Sequence, residues 1–322
     1  MKAIVISEPG GPETLALAEV PEPEAGPGEI LARVDAAGLN YIDTYHRTGL
    51  YPVEFPLIPG LEGAGTVVST GPDVETISVG DRIGWVEAMG SYAEQVVVPA
   101  ARAITVPDDV PIETAAAVLL QGLTAHYLAT DTFSVGEGDT CLVHAGAGGV
   151  GLLLTQIATR KGARVITTVG TPAKAELSRA AGASDVILYS ETDFAEAVES
   201  LVGPHALDVV FDGVGKATFD KSLDLLRPRG MMVTFGNASG PVPEVSPLTL
   251  MAKGSLFLTR PTMRHYLQTT EELLGRAGDL FRWIGEGELE VRIGERFPLA
   301  EAAEAHRALE GRKTTGKVLL IP

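Results

Sequence analysis

Three glycines in the run Val143-His144-Ala145-Gly146-Ala147-Gly148-Gly149-Val150-Gly151 stand at G-x-G-x-x-G spacing, a pattern suited to holding a pyrophosphate. Gly146 permits a tight turn, Gly148 lets the backbone approach the phosphates, and Gly151 lets a helix pack on a strand. With Ala147, Gly149 and Val150, they open a helix whose N-terminus adds oriented N–H groups and positive potential. The context is right for this role. Thr140-Cys141-Leu142-Val143 is a short apolar strand upstream. Downstream, Val150, Leu152, Leu153, Leu154, Ile157 and Ala158 keep helical spacing up to the stop Lys161-Gly162.

The choice of dinucleotide turns on the end of the next strand, where an NAD site would place an acid for the ribose 2′-hydroxyl. The chain there reads Val169-Gly170-Thr171-Pro172-Ala173-Lys174, with no acid and with a lysine placed to meet a 2′-phosphate. This points to NADPH. The plain alternative is that Lys174 is a solvated helix lysine.

A second chemistry-bearing stretch is Asn40-Tyr41-Ile42-Asp43-Thr44-Tyr45-His46-Arg47-Thr48-Gly49-Leu50-Tyr51-Pro52. Asn40, Tyr45, Arg47 and Tyr51 are its candidate hydrogen-bond donors, and two polar groups held beside a buried ligand need partners. Asp43 reads as a cap on a helical turn from Thr44 to Gly49. Tyr51 as loop packing and Arg47 as a surface ion-pair partner are the bland readings. Cys141 lies inside a strand and reads as a small buried hydrophobe. The six histidines are scattered, and His265 and His306 read as solvated or capping residues.

These groups need a scaffold. After the glycine unit come Arg164–Val169, a helix with Thr171 as N-cap and Pro172 as N1, Val186–Tyr189, a helix over Phe194–Val202, Asp208–Gly213, a helix over Lys216–Leu226, and Gly230–Gly236. Apolar strands alternating with helices imply an α/β unit with a doubly wound parallel sheet of Rossmann type, assigned to residues 123–261. Residues 1–122 carry short apolar runs between Pro- and Gly-rich turns and read as a mostly β, partly open barrel. The tail, residues 262–322, contains Lys317–Ile321 and is expected to rejoin that first domain. Ser255–Thr259 reads as an apolar edge strand that invites homodimer pairing.

Composition narrows the class. Hydrophobic residues make up 45% of the chain, and no apolar run is long enough for a membrane span. The formal charge of −17 opposes binding to nucleic acid or to anionic lipid. One cysteine and a direct start into a strand lead to the expectation of a cytoplasmic protein.

The order barrel, dinucleotide domain, returning tail resembles the medium-chain dehydrogenase/reductase superfamily. The Asn40–Pro52 stretch, Gln121-Gly122-Leu123-Thr124-Ala125, the glycine loop, Phe235-Gly236-Asn237-Ala238-Ser239-Gly240 and Leu258-Thr259-Arg260-Pro261 resemble its zinc-independent NADPH:quinone oxidoreductase branch, also called zeta-crystallin-like. The resemblance implies a GroES-like catalytic domain beside the Rossmann domain. It places Asn40, Tyr45, Gln121 and Thr124 at the nicotinamide and quinone pocket, with Thr124 beginning a linking helix. It sets Tyr189 near the adenosine, Gly213, Val214, Phe235, Gly236 and Ser239 along the nicotinamide half, and Thr259, Arg260 and Lys317 near phosphates or carboxamide.

Leu61 and Asn40 stand where the zinc relatives carry a ligand histidine and cysteine, so no metal is expected. Without metal the acceptor must already be electrophilic, and a small quinone meets that demand. Two other classes stay open: an enone or enoyl-thioester reductase with Tyr51 as proton donor, and a non-enzymatic nucleotide- or RNA-binding protein.

Overall fold

Short β-rich runs closed by Gly and Pro turns begin the chain, and a computed structural model describes all residues Met1–Pro322. The first stretch forms β1 (Lys2–Val5), β2 (Ala16–Glu19), β3 (Glu29–Leu39), α1 (Tyr41–Thr48), β4 (Glu62–Thr70), β5 (Arg82–Val86), β6 (Gln95–Pro99), β7 (Ile104–Thr105) and α2 (Ile112–Tyr127). Alternating strands and helices follow: β8 (Thr140–His144), α3 (Gly149–Arg160), β9 (Arg164–Val169), α4 (Pro172–Ala180), β10 (Asp185–Leu188), α5 (Phe194–Val202), β11 (Leu207–Asp212), α6 (Phe219–Leu225), β12 (Leu226–Thr234), α7 (Pro247–Ala252) and β13 (Phe257–Thr259). The chain ends with α8 (Thr270–Gly285), β14 (Ile293–Pro298), α9 (Ala302–Glu310) and β15 (Lys317–Ile321).

Two units result. Met1–Leu123 and Gln268–Pro322 make the first, and Thr124–Leu267 the second. The second break falls six residues beyond the expected 261, because Tyr266 stacks face to face on Tyr127 at 4.3 Å and keeps the segment after β13 with the second unit.

In the first unit the tail completes a sheet of order β14-β15-β3-β4-β5-β7, with β6 also on β3. β15 runs antiparallel to β3 with Val318 opposite Leu39. Ile30, Val34, Leu39, Ile83, Trp85, Val318 and Leu320 share one apolar core with Ala302 and Ala305 of α9. Around this mostly β sheet, α1, α2, α8 and α9 belong to or border the unit. Helix α1 is longer than the anticipated turn because Asn40 and Asp43 close a capping box one turn earlier.

In the second unit six strands run parallel in the order β10-β9-β8-β11-β12-β13. The order reverses between β8 and β11, which opens a crevice beyond their carboxyl ends. Thr171 caps α4 and Pro172 follows at N1, as the sequence implied. Helix α6 starts at Phe219 rather than Lys216. The buried Asp212 carboxylate accepts from the Val214 and Gly215 N–H groups at 2.7 and 3.2 Å and from the Thr218 hydroxyl at 2.9 Å, holding the chain in a turn. No helix is long and apolar enough to cross a membrane.

Candidate dinucleotide and acceptor site

A parallel sheet delivers the ends of all its strands to one edge, and the candidate nucleotide residues of the second unit collect there. β8 ends at His144, Ala145 takes a φ of +55°, and Gly148 is the N-cap of α3. The three glycines are required for different reasons. A Cβ on Gly146 would run into Thr167 at 2.5 Å and one on Gly151 into the Ala145 carbonyl, so both are set by packing. A Cβ on Gly148 would meet only the Ala145 carbonyl oxygen, at 3.2 Å. The space above Gly148 and the N-terminus of α3 is therefore an open cradle able to take a phosphate group.

Beyond β9, Gly170 leads into Thr171, whose hydroxyl accepts from the Lys174 N–H at 3.3 Å. Tyr189 follows β10, exposes 44% of its surface and lays its ring over Gly170, where a Cβ would lie 2.6 Å from its hydroxyl. Gly170, Thr171, Lys174 and Tyr189 thus form one polar rim. On the other side of the crevice Gly213 and Val214 follow β11, and Phe235, Gly236 and Ser239 follow β12. The Phe235 ring lies 3.0 Å from where a Gly213 Cβ would sit. The Ser239 hydroxyl donates to the Val214 carbonyl and accepts from Ala217. Thr259 closes β13, and Arg260 donates to the Gly236 carbonyl at 3.0 Å. Thr124 is buried near the C-terminal end of α2 instead of at a helix start.

In the first unit α1 presents Tyr45 beside Tyr51, ring centroids 5.1 Å apart and edge-on, with Tyr41 at 6.3 Å. Tyr45 is largely buried, and the Tyr51 backbone N–H donates to its carbonyl, so the αL turn at Gly49 folds Tyr51 back onto the helix. Asn40 is tied into the interior. Its amide donates to Glu62 at 2.8 Å and its side-chain oxygen accepts from Lys317 at 2.8 Å. Lys317 and Glu62 form an ion pair with both side chains fully buried, and Glu62 also accepts from the Leu120 N–H at 2.7 Å. Gly38 is glycine because a Cβ there would strike this pair. Gln121, on α2, keeps a buried side-chain oxygen with no partner.

Arg47, expected as a donor to the acceptor, is buried and holds Glu310 with two bonds at 3.0 and 2.8 Å, His306 at 3.0 Å and the Gly10 carbonyl at 3.1 Å. Its guanidinium braces α1 against α9. His306, expected as a solvated or capping residue, is fully buried, and burial together with the Arg47 charge pushes its pKa down to about 3. Burial likewise raises the Cys141 thiol far above its usual range.

Two family models match the chain: an alcohol dehydrogenase GroES-like domain over residues 26–108 and a zinc-binding dehydrogenase over residues 181–320. The chain is 45% identical to a Pseudomonas aeruginosa quinone oxidoreductase, over all of this chain and 99% of the relative. It is 41% identical to a Burkholderia 2-haloacrylate reductase over 99% of this chain and 98% of that one. The Escherichia coli quinone oxidoreductase solved in complex with NADPH superposes with a TM-score of 0.98 at 40% identity, each chain covered in full. The chain belongs to the quinone oxidoreductase family of medium-chain dehydrogenases/reductases.

The zinc of this superfamily's metal-dependent members does not fit here. No group of three or more His, Cys, Asp or Glu side chains is placed to hold an ion, and Asn40 is committed to Glu62 and Lys317. What sequence reasoning missed in this quinone oxidoreductase family member is the polar interior of the first unit: Glu62, Tyr92, His306 and Glu310. Glu62 carried a signal, an acid alone among Gly60, Leu61, Gly63, Ala64 and Gly65. Tyr92 and His306 carried none, since their partners lie 49 and 259 positions away, on Asp43 and Arg47.

Proposed function

We propose that the protein is an NADPH-dependent quinone oxidoreductase that works without metal. The open cradle above Gly148, at the switch point of a parallel sheet, carries this reading, and full-length likeness to a relative solved with NADPH supports it. In this reading Gly146, Ala147, Gly148, Gly149 and Val150 hold the pyrophosphate. Gly170, Thr171, Lys174 and Tyr189 take the adenosine and its 2′-phosphate. Gly213, Val214, Phe235, Gly236, Ser239, Thr259 and Arg260 border the nicotinamide half, with Gln121, Thr124, Asn40 and Tyr45 contributing to cofactor binding.

NADPH, when bound, supplies the hydride. The protein's part is to fix the acceptor and to place donors where charge grows. Tyr45 and Tyr51 form an aromatic corner for a flat ring, and the Tyr51 hydroxyl is the donor proposed for the quinone oxygen. Asn40 is held in one orientation by Glu62 and Lys317, so Lys317 acts through Asn40 rather than on the cofactor. Arg47 serves as a brace.

The likeness to a haloacrylate reductase favours a second reading, reduction of an activated C=C bond, in which a carbon must also be protonated. NADPH consumption against a panel of quinones and enones, with chelator present, separates the two. Tyr51→Phe is expected to abolish enone reduction if Tyr51 protonates carbon, and only to slow quinone reduction, which loses a hydrogen bond to oxygen and no proton delivery to carbon. We also propose a cytoplasmic homodimer paired through the free edge of β13. There Phe257 is 57% exposed, and Leu248 and Met251 of α7 are exposed as well.

A further inference from the structure

Asp43 is fully buried, and its Oδ2 accepts from the Asn40 N–H at 2.8 Å and from the Tyr92 hydroxyl at 2.9 Å. The string continues outward. The Tyr92 hydroxyl lies 3.4 Å from His306 Nε2, and Arg47 donates to His306 Nδ1 at 3.0 Å. Arg47 can only donate, so its bond fixes the tautomer: Nδ1 is the bare nitrogen, Nε2 carries the proton and points it at Tyr92, and the Tyr92 hydroxyl donates to Asp43. Glu310 at the far end anchors Arg47. Each donor thus has one acceptor along the line. The string ties both ends of α1 (Asp43 in the first turn, Arg47 in the last) to the segment before β6 and to α9.

We propose that Tyr92 and His306 are positioning residues for acceptor binding: with Asp43 they clamp α1 so that Tyr45 and the Tyr51 it carries keep the geometry a quinone ring needs. This rests on the reading of Tyr45 and Tyr51 as the acceptor corner. The same string makes the clamp responsive to pH. Asp43 is faced by Tyr92 and the Asn40 N–H, which favour its anion, by Lys317 of β15, which does so through space, and by Glu62 of β4, which opposes it. Burial outweighs these and lifts the carboxyl to about 7. His306 of α9 and Arg47 of α1 stand one and two links away. Protonation of Asp43 removes the charge that its two donors favour, so these two bonds, and with them the clamp on α1, weaken as pH falls through neutrality, although the fold as a whole gains by losing a buried charge.

The test is steady-state kinetics of the full chain with NADPH and 1,4-benzoquinone across about pH 6 to 8.5, for wild type, Tyr92→Phe and Asp43→Asn. In Tyr92→Phe, loss of the buried hydroxyl that bonds Asp43 and faces His306 is expected to raise the quinone KM about fivefold, with kcat and the NADPH KM within about twofold. Its KM inflection moves to higher pH, because a bond that favoured the anion is gone. In Asp43→Asn the quinone KM loses its inflection altogether. A role confined to folding lowers Tm and leaves this split and both pH profiles unchanged, which overturns the proposal. Should Tyr92→Phe fail to fold, Asp43→Asn carries the same comparison, and an inflection that persists in it overturns the clamp. Wild type that oxidises no NADPH with benzoquinone removes the functional reading itself, a separate outcome.

Discussion

At the scale of single residues, burial decides which polar groups were readable. Asn40, Tyr45 and Lys174 stood out in the sequence because type and spacing spoke for them. Glu62 and Lys317 are 255 positions apart and meet only because β4 and β15 both flank β3. Asp43 leaves a signature in stability. Its folded carboxyl sits at about 7 against 3.8 when exposed, so the stability it lends is full below about pH 4 and is lost as pH rises through neutrality. Asp43→Asn should therefore gain relative to wild type on going from about pH 5 to pH 8 in urea titrations, by about 3 kcal/mol at most. A constant difference between the two would show that the carboxyl is not titrating in the core. His306 acts in the opposite direction: neutral when folded, it withdraws stability as pH falls below its ordinary value of 6.5. Lys174→Glu is expected to raise the KM for NADPH about tenfold or more while sparing NADH, because only the former carries the 2′-phosphate. Equal losses for both nucleotides would remove Lys174 from the phosphate site.

At the scale of elements, local signals worked where the chain satisfies itself locally. Thr171-Pro172 capped α4 as read, and α5 spans Phe194–Val202 as expected, its Asp193 cap accepting from the Ala195 N–H at 3.0 Å. Elements whose ends are set by turn geometry instead of apolar spacing were misjudged. Helix α6 lost its first turn to the Asp212 carboxylate, and β13 starts at Phe257 because Ser255 adopts a φ of +55°. The glycine loop yields a test that separates fold from function. Gly151→Ala drives a methyl into backbone and should lower Tm markedly. Gly148→Ala meets only one carbonyl and should leave Tm nearly unchanged while weakening NADPH binding about tenfold, ~1.4 kcal/mol. Titration calorimetry beside thermal melts would read both, and loss of binding without discrimination between the two sites would contradict the assignment.

At the scale of the whole molecule, the architecture was legible because it repeats. Strand and helix alternate through the second unit, and the apolar run Lys317–Ile321 rejoins the first unit as expected, antiparallel to β3. The mixed character of the first unit was harder to see, since α1 and α2 are interleaved with short strands between Gly and Pro turns. The exposed edge of β13 is expected to pair with a second copy, giving a dimer at micromolar concentration by light scattering. Phe257→Asp should shift that equilibrium to monomer, and an unchanged mass would place the interface elsewhere.

The most direct test is the fall of NADPH absorbance on adding 1,4-benzoquinone to protein pre-treated with a strong chelator. The proposed chemistry requires rapid oxidation, undiminished by the chelator and much slower with NADH. No oxidation, or activity that returns only when zinc is restored, would contradict it.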